Sequence, residues 1–203
     1  MLMGSEDCGR SKPLEWVRLV ILGGPGAGKG TQAQLLCRHL DIPWIATGEI
    51  FRSAIAEQSE LGRQAQPYLE KGELVPDPTT IELIRQRLLK PDALKGWLLD
   101  GYPRTAFQAE ELDFLLDQSG QRVDWAIWLK LSESVLMQRC LNREASRSDD
   151  APEIVRRRIE LFEERTIPIL EYYDYRDRLV TVDGDRSPQE VHQEILGRIA
   201  PQS

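Results

Sequence analysis

The chain is poor in the residues that build several common kinds of active site. It has two histidines, His39 and His192, in 203 residues. Neither has a plausible cysteine or histidine partner nearby, so both read as helix-surface residues and a histidine-centred catalytic apparatus is set aside. Cysteine is scarce too: Cys8, Cys37 and Cys140 are odd in number, far apart and without a C-x-x-C pair. That excludes a disulfide framework and a thiolate zinc site, and it leaves free thiols of a reducing compartment. No apolar run reaches the roughly 18 residues that a membrane-spanning helix needs. Residues 1–15 are polar, carry Glu6 and Asp7, and lack the apolar middle of a secretory signal. They read as a flexible extension on a cytoplasmic protein. A surplus of positive charge is also missing, with 26 Lys and Arg against 33 Asp and Glu. General affinity for nucleic acid is thereby excluded, and an anionic ligand must be held by a few locally gathered arginines and lysines.

What is present suits one domain with a substantial core, since 41% of residues are hydrophobic and 29% charged. Apolar runs at Val17–Leu22, Trp97–Leu99, Trp125–Leu131 and Leu179–Val182 alternate with helical patterns. This alternation predicts an α/β fold whose parallel sheet is covered on both faces. A helix is expected over Lys29–Leu40, with Ala33, Leu36 and Leu40 at helical spacing. Further helix starts are expected at Thr79-x-x-Glu82, Asp150-x-x-Glu153 and Ser187-Pro188-Gln189-Glu190, each shaped like a capping box. Two segments read as excursions from the sheet: Thr47–Val75, with two short helical stretches, and the short charged stretch Arg143–Asp150.

The most informative stretch is Gly23-Gly-Pro-Gly-Ala-Gly-Lys-Gly-Thr31, directly after the first apolar run. Glycines allow backbone N–H groups to converge on a phosphate at a sharp turn, Lys29 adds a full charge, and the following helix presents its positive dipole end. The spacing fits a phosphate loop, except that Gly30 stands where a hydroxyl residue usually follows the lysine. Asp100 ends the second apolar run, at the strand end where a carboxylate can anchor magnesium beside such a loop. Arg139 and Arg143 are four apart, on one helix face; Arg147 and Arg158 flank Ser148-Asp149-Asp150; Arg52 and Arg104 lie far off in sequence. Arg156 and Arg157 read as solvated surface residues.

These motifs, taken in order, resemble the nucleoside monophosphate kinases and specifically the adenylate kinases. The resemblance runs from about Val17 to the last helix. It is carried by the glycine loop, Ala46-Thr-Gly-Glu-Ile-Phe-Arg52, Gly72-Glu-Leu-Val-Pro76, Leu99-Asp-Gly-Tyr-Pro-Arg-Thr105, Gln108, Arg139, Arg143, Arg147-Ser-Asp-Asp150 and Arg158. Gly30 is then expected, because the family itself has Gly-Lys-Gly-Thr.

The resemblance implies a P-loop three-layer α/β/α fold with a central five-stranded parallel sheet. One kinase domain would span 16–203, with a nucleotide-acceptor segment at 46–75 and a short lid at 143–150. It implies ATP bound by Gly26, Ala27, Gly28, Lys29, Gly30 and Thr31, with Arg139 on the adenine, Arg143 on the phosphates and Arg186 beside the adenine. The AMP site would comprise Thr47, Arg52, Glu73, Leu74, Val75, Gly101, Tyr102, Pro103, Arg104 and Gln108. Arg147 and Arg158 would bridge both substrates. Catalysis would rest on Lys29, Arg104, Arg143, Arg147, Arg158 and Asp100, the last holding Mg2+ through water. ATP, AMP and ADP are the implied partners, the protein is expected to be a monomer without nucleic-acid or membrane partners, and the short lid carries no zinc. The physics agrees, since phosphoryl transfer mainly requires two anions to be aligned and their charge neutralised, which guanidinium forks do well.

Two departures stand out. The family usually has Asp where Glu49 stands, and Gly where Glu144 follows Arg143. Glu49→Asp is expected to leave turnover intact while changing the magnesium dependence. Rival readings are a UMP/CMP kinase, which tends to have Ala at the Thr47 position and Asn near Gln108, and a nucleotide-binding regulator without turnover, which would be expected to lose Lys29, Asp100 or a phosphate arginine. A GTPase switch is disfavoured because no Asn-Lys-x-Asp motif occurs.

Overall fold

The structure is a computed structural model that describes residues 17–142 and 151–200. The expected extension over 1–15 and the expected lid over 143–150, with Arg143, Glu144 and Arg147, lie outside the described residues. The first apolar run forms β1 (Arg18–Leu22), buried along its whole length. It is followed by α1 (Lys29–Leu40), β2 (Trp44–Ala46), α2 (Thr47–Ala56), α3 (Glu60–Leu69) and α4 (Asp77–Leu88). Next come β3 (Trp97–Asp100), α5 (Ala106–Asp117), β4 (Trp125–Lys130) and α6 (Glu133–Leu141). The described chain ends with α7 (Pro152–Leu161), a π-helical turn at Phe162–Thr166, α8 (Ile167–Asp174), β5 (Leu179–Asp183) and α9 (Pro188–Ile199).

The strands form one parallel sheet in the order β2-β3-β1-β4-β5. Successive side chains of a strand point to opposite faces, and β1 shows what this does. Leu19 and Ile21 enter a core shared with Leu36 of α1, Leu136 of α6, Ile159 of α7 and Ile195 of α9. Val20 and Leu22 enter a second core with Ile84 of α4, Leu112 of α5 and Tyr173 of α8. Each fully buried Leu, Ile or Phe contributes about 1.5–3 kcal/mol to folding, so both layers are held strongly. A third, smaller cluster of Phe51, Ala65 and Val75 ties α2 and α3 to the start of α4. The three-layer α/β/α architecture with five parallel strands is therefore present as expected. No described helix is long and apolar enough to cross a membrane.

Some local expectations change. The capping box at Ser187 forms in full, with Glu190 reaching back to the Ser187 N–H. Thr79 caps nothing: α4 begins two residues earlier, at Asp77 after Pro76. The fixed φ of the two prolines, Pro76 and Pro78, favours that earlier start. α7 begins at Pro152 with Ala151 as its cap, without a side-chain hydrogen bond, and Asp150 is outside the described residues. The two histidines do find a partner, namely each other. His39 of α1 and His192 of α9 meet edge to face with ring centroids 5.9 Å apart.

Candidate active site

β1 ends at Leu22, the chain turns through 23–28, and α1 opens at Lys29. Gly26 and Gly28 carry φ of +78° and +86°, a left-handed region that favours glycine. The first turn of α1 has no acidic residue and its N-cap makes no side-chain bond, so its leading N–H groups and positive dipole end are left for an anion. Lys29 Nζ donates to the carbonyls of Gly23 at 2.8 Å and Gly24 at 2.9 Å. Lys29 as a whole is half-buried and lines the cavity. Burial lowers its pKa to about 8; Asp100 opposes the shift, and Arg104 and Arg158 reinforce it. A positive charge so poorly solvated gains by meeting phosphate.

One cavity of about 340 Å³ opens here. Gly26, Ala27, Gly28, Lys29, Gly30, Thr31 and Arg139 line it from the phosphate-loop side, and Thr47, Arg52, Glu73, Leu74, Val75, Gly101, Arg104 and Gln108 from the other. Asp100 and Arg158 also line it. The fold explains the convergence: α1, α2 and the 101–108 turn all start at the carboxyl ends of β1, β2 and β3, where ligands of open α/β sheets bind.

The turn after β3 is braced by hydrogen bonds. Arg104 Nε donates to the Gly101 carbonyl at 3.0 Å, and the Thr166 hydroxyl donates to the Arg104 carbonyl at 3.1 Å. Gln108, 2% exposed, accepts from the Arg104 N–H and donates to Asp77. Arg52 is paired with Glu49 one helical turn away, its Nε donating to Glu49 Oε2 at 3.2 Å. The Thr47 hydroxyl is buried and has no hydrogen-bond partner among the described residues. A buried polar atom on a cavity wall fits a ligand that completes it.

Not every expected contact reaches the cavity. The Tyr102 side chain is 1% exposed and packs in the second core, its hydroxyl donating to the Gln108 carbonyl at 3.1 Å. Pro103 lines a smaller adjoining pocket with Phe162 and Thr166. Arg186 turns away to pair with Glu194 of α9, and so is not on the cavity wall. Arg139 reaches the same loop from α6, donating to the Gly184 carbonyl at 3.0 Å and pairing with Asp185 at 2.9 Å. Arg157 is more than a solvated residue: its Nε meets Glu73 at 2.7 Å, joining α7 to the segment before α4. Glu73 is the main cause of a raised Arg157 pKa.

No group of three His, Cys, Asp or Glu side chains gathers among the described residues. Asp100 is one of three carboxylates on the cavity wall, with Glu49 and Glu73, and it is the one at a strand end, where β3 stops beside the phosphate loop. This suits magnesium, which keeps its waters and shares itself between one or two carboxylates and nucleotide phosphates.

Several wall residues carry no motif signal. Trp44 of β2 places its ring 3.6 Å from where a Gly30 Cβ would be, and Leu69 and Thr80 join the wall. Asp77 and Thr166 act one step back, through Gln108 and Arg104. Only Trp44, an aromatic just before Ala46-Thr47, could have been suspected from its position.

The adenylate kinase family model matches residues 21–178. Adenylate kinase 2 of a Nostoc species is 64% identical over 180 residues, covering 89% of this chain and 97% of the relative. Adenylate kinase 2 of a Synechocystis species is 51% identical over 183 residues, covering 90% and 100%. An adenylate kinase from a Nocardioides species is 44% identical over 182 residues, covering 89% and 95%. Phosphate loop, strand-end carboxylate and arginine-lined cavity thus coincide with likeness over nearly the whole sequence, and the chain belongs to the adenylate kinase family.

Proposed function

We propose that this chain transfers the terminal phosphoryl group of MgATP reversibly to AMP, giving two ADP. The observation that carries this reading is that one cavity has in its walls both the phosphate loop and residues of the 47–75 and 101–108 segments. One nucleotide needs only the first wall; a phosphoryl donor and acceptor in contact need both.

The 46–75 segment would hold AMP, with the orphaned Thr47 hydroxyl and the apolar Leu74 and Val75 against the nucleoside and Arg52 and Arg104 on its phosphate. Lys29 would leave the loop carbonyls for the transferring phosphoryl group. Its ammonium is attracted there because the loop has already stripped its water. Arg158, beside Lys29 and Arg104 on the wall, would spread over the transferring group. Guanidinium groups remain charged and bind phosphate oxygens as a fork, which aligns the two anions and offsets their repulsion. No general base is needed, because a phosphate oxygen of AMP is already a nucleophile at neutral pH. Magnesium, arriving with ATP, supplies further charge neutralisation, and Asp100 would hold it through water. The roles expected of Arg143 and Arg147 rest on the sequence resemblance.

The test is ADP formation from ATP with AMP, UMP, CMP and GMP in turn, with and without magnesium. AMP should be the best acceptor and turnover should require magnesium; faster turnover of UMP than AMP would sink the assignment. Lys29→Ala and Arg104→Ala should each lower kcat by about 10²–10³-fold, the usual loss for one charge-stabilising donor. Circular dichroism should show both variants folded. Full activity in either would refute its role.

A further inference from the structure

The amide of Gln108 is held at both ends. Its Oε1 accepts from the Arg104 N–H at 2.8 Å, and its Nε2 donates to Asp77 Oδ1 at 2.7 Å. The other Asp77 oxygen accepts from the Thr105 hydroxyl at 3.4 Å, and that hydroxyl accepts from the Gln108 N–H at 3.2 Å. Asp77 is itself absent from the cavity wall, whereas Gln108 is on it.

A primary amide has two acceptor lone pairs and two N–H donors. One of each is already engaged, so one of each is left. Turning the amide over would set an N–H against the Arg104 N–H and an oxygen against the Asp77 carboxylate. In a buried position both contacts are costly, and the bond to a charged acceptor is the stronger of the two restraints. The orientation of Gln108 is therefore chosen by Asp77, which the sequence places 31 residues earlier.

We propose that Asp77 is a positioning residue that makes the acceptor site prefer a 6-amino purine monophosphate to a 6-oxo purine monophosphate. The adenine edge offers an amino N–H beside a ring-nitrogen acceptor, which matches the remaining oxygen lone pair and N–H of the fixed amide. A 6-oxo purine places a carbonyl where the amino group was, and that carbonyl meets the amide oxygen. Only the reversed amide satisfies it, and Asp77 opposes the reversal. This inference rests on the proposed placement of the acceptor base against Gln108.

The test measures kcat/KM for AMP and for inosine monophosphate, with MgATP, in the wild type, Asp77→Ala, Asp77→Asn and Gln108→Leu. Asp77→Ala should lower the AMP-to-inosine preference by about tenfold, within the range of one bidentate base contact, and mainly through KM. Asp77→Asn still presents an acceptor oxygen and should keep most of the preference. Should Asp77→Ala not fold, Asp77→Ser, whose hydroxyl is too short to span to Gln108, carries the same expectation. A wild-type preference in Asp77→Ala (or Asp77→Ser) while Gln108→Leu loses it overturns the role of Asp77. So does an equal loss in Asp77→Asn and Asp77→Ala, which would mean that the hydrogen bond is not what matters. A wild-type preference in Gln108→Leu itself would instead overturn the placement of the base, and the inference with it.

Discussion

At Gly26 the backbone holds φ at +78°, and a Cβ there would lie 2.6 Å from the Leu136 carbonyl oxygen and 3.3 Å from the Arg139 Cβ. The loop rests directly on α6, so a methyl group must push backbone and not a flexible side chain. Left-handed backbone also costs a non-glycine residue about 1–2 kcal/mol. Gly30, four residues on, answers to a different constraint: a Cβ there makes ordinary contact with Trp44 at 3.6 Å. It also lies in the first turn of α1, where alanine is preferred to glycine by roughly 0.5–1 kcal/mol. Gly26→Ala should therefore lower the melting temperature and cut turnover at least tenfold by displacing the loop (about 1.4 kcal/mol in the barrier). Gly30→Ala should melt at or above the wild-type temperature. Thermal scans and steady-state assays of the two variants check this, and equal stability would show that the loop yields where the packing says it cannot.

At the scale of elements, the acceptor segment depends on how closely α2 and α3 cross. A Cβ on Gly62 would lie 2.1 Å from the Ala54 carbonyl oxygen and 2.7 Å from the Ile55 nitrogen. Ser59 fastens the same corner, accepting from the Gly62 N–H and donating to the Ala54 carbonyl, both at 3.1 Å. Gly62→Ala must separate the helices and loosen the Phe51, Ala65 and Val75 cluster. Overpacking of this kind costs about 1–3 kcal/mol. The KM for AMP should rise several-fold while that for ATP changes little, and kinetics with each substrate varied in turn would reveal it; equal effects on both would show that the segment does not serve one nucleotide. The elements differ in how much of this could be read from sequence. β1, β3, β4 and β5 are runs of apolar residues and announce themselves. β2 is three residues long with Trp44 exposed and only Ile45 buried, so it has no run to find; the family resemblance implied a fifth strand without placing it. The Ser187 cap was legible because both partners lie within four residues. The pairs Asp77–Gln108 and Glu73–Arg157, 31 and 84 residues apart, exist only once the fold has formed, so Asp77 and Arg157 could not be told from ordinary surface charges, and Glu73 was marked by the family resemblance alone and not as a partner of Arg157.

For the whole molecule, the contact between α1 and α9 joins the phosphate-loop helix to the last described helix, and so bears on global stability. Val191, Ile195 and Ile199 pack into the same core as Ala33 and Leu36. Gln32 of α1 reaches across to donate to the Pro188 carbonyl at 2.9 Å. His39 and His192 close the same interface, and His192 Nδ1 is buried without a hydrogen-bond partner among the described residues. Burial first, and His39 second, hold the His192 pKa below the usual histidine value. The sign follows from proton linkage. As pH falls below about 6.5, the unfolded chain binds this proton before the folded one does, so stability is lost on acidification and is fully present at neutral pH. The imidazole is partly exposed, and solvent screening keeps the effect small, on the order of 1–3 °C in melting temperature between pH 7 and 5.5. Carboxylates contribute their own slope over that range, so the readout is the difference between proteins. His192→Gln removes the charge but not the bulk, and it should flatten the melting curve against pH in that window. His39→Gln should do so less, since burial is the larger cause. Parallel slopes in the wild type and His192→Gln would mean that the α1–α9 contact does not sense pH through this pair.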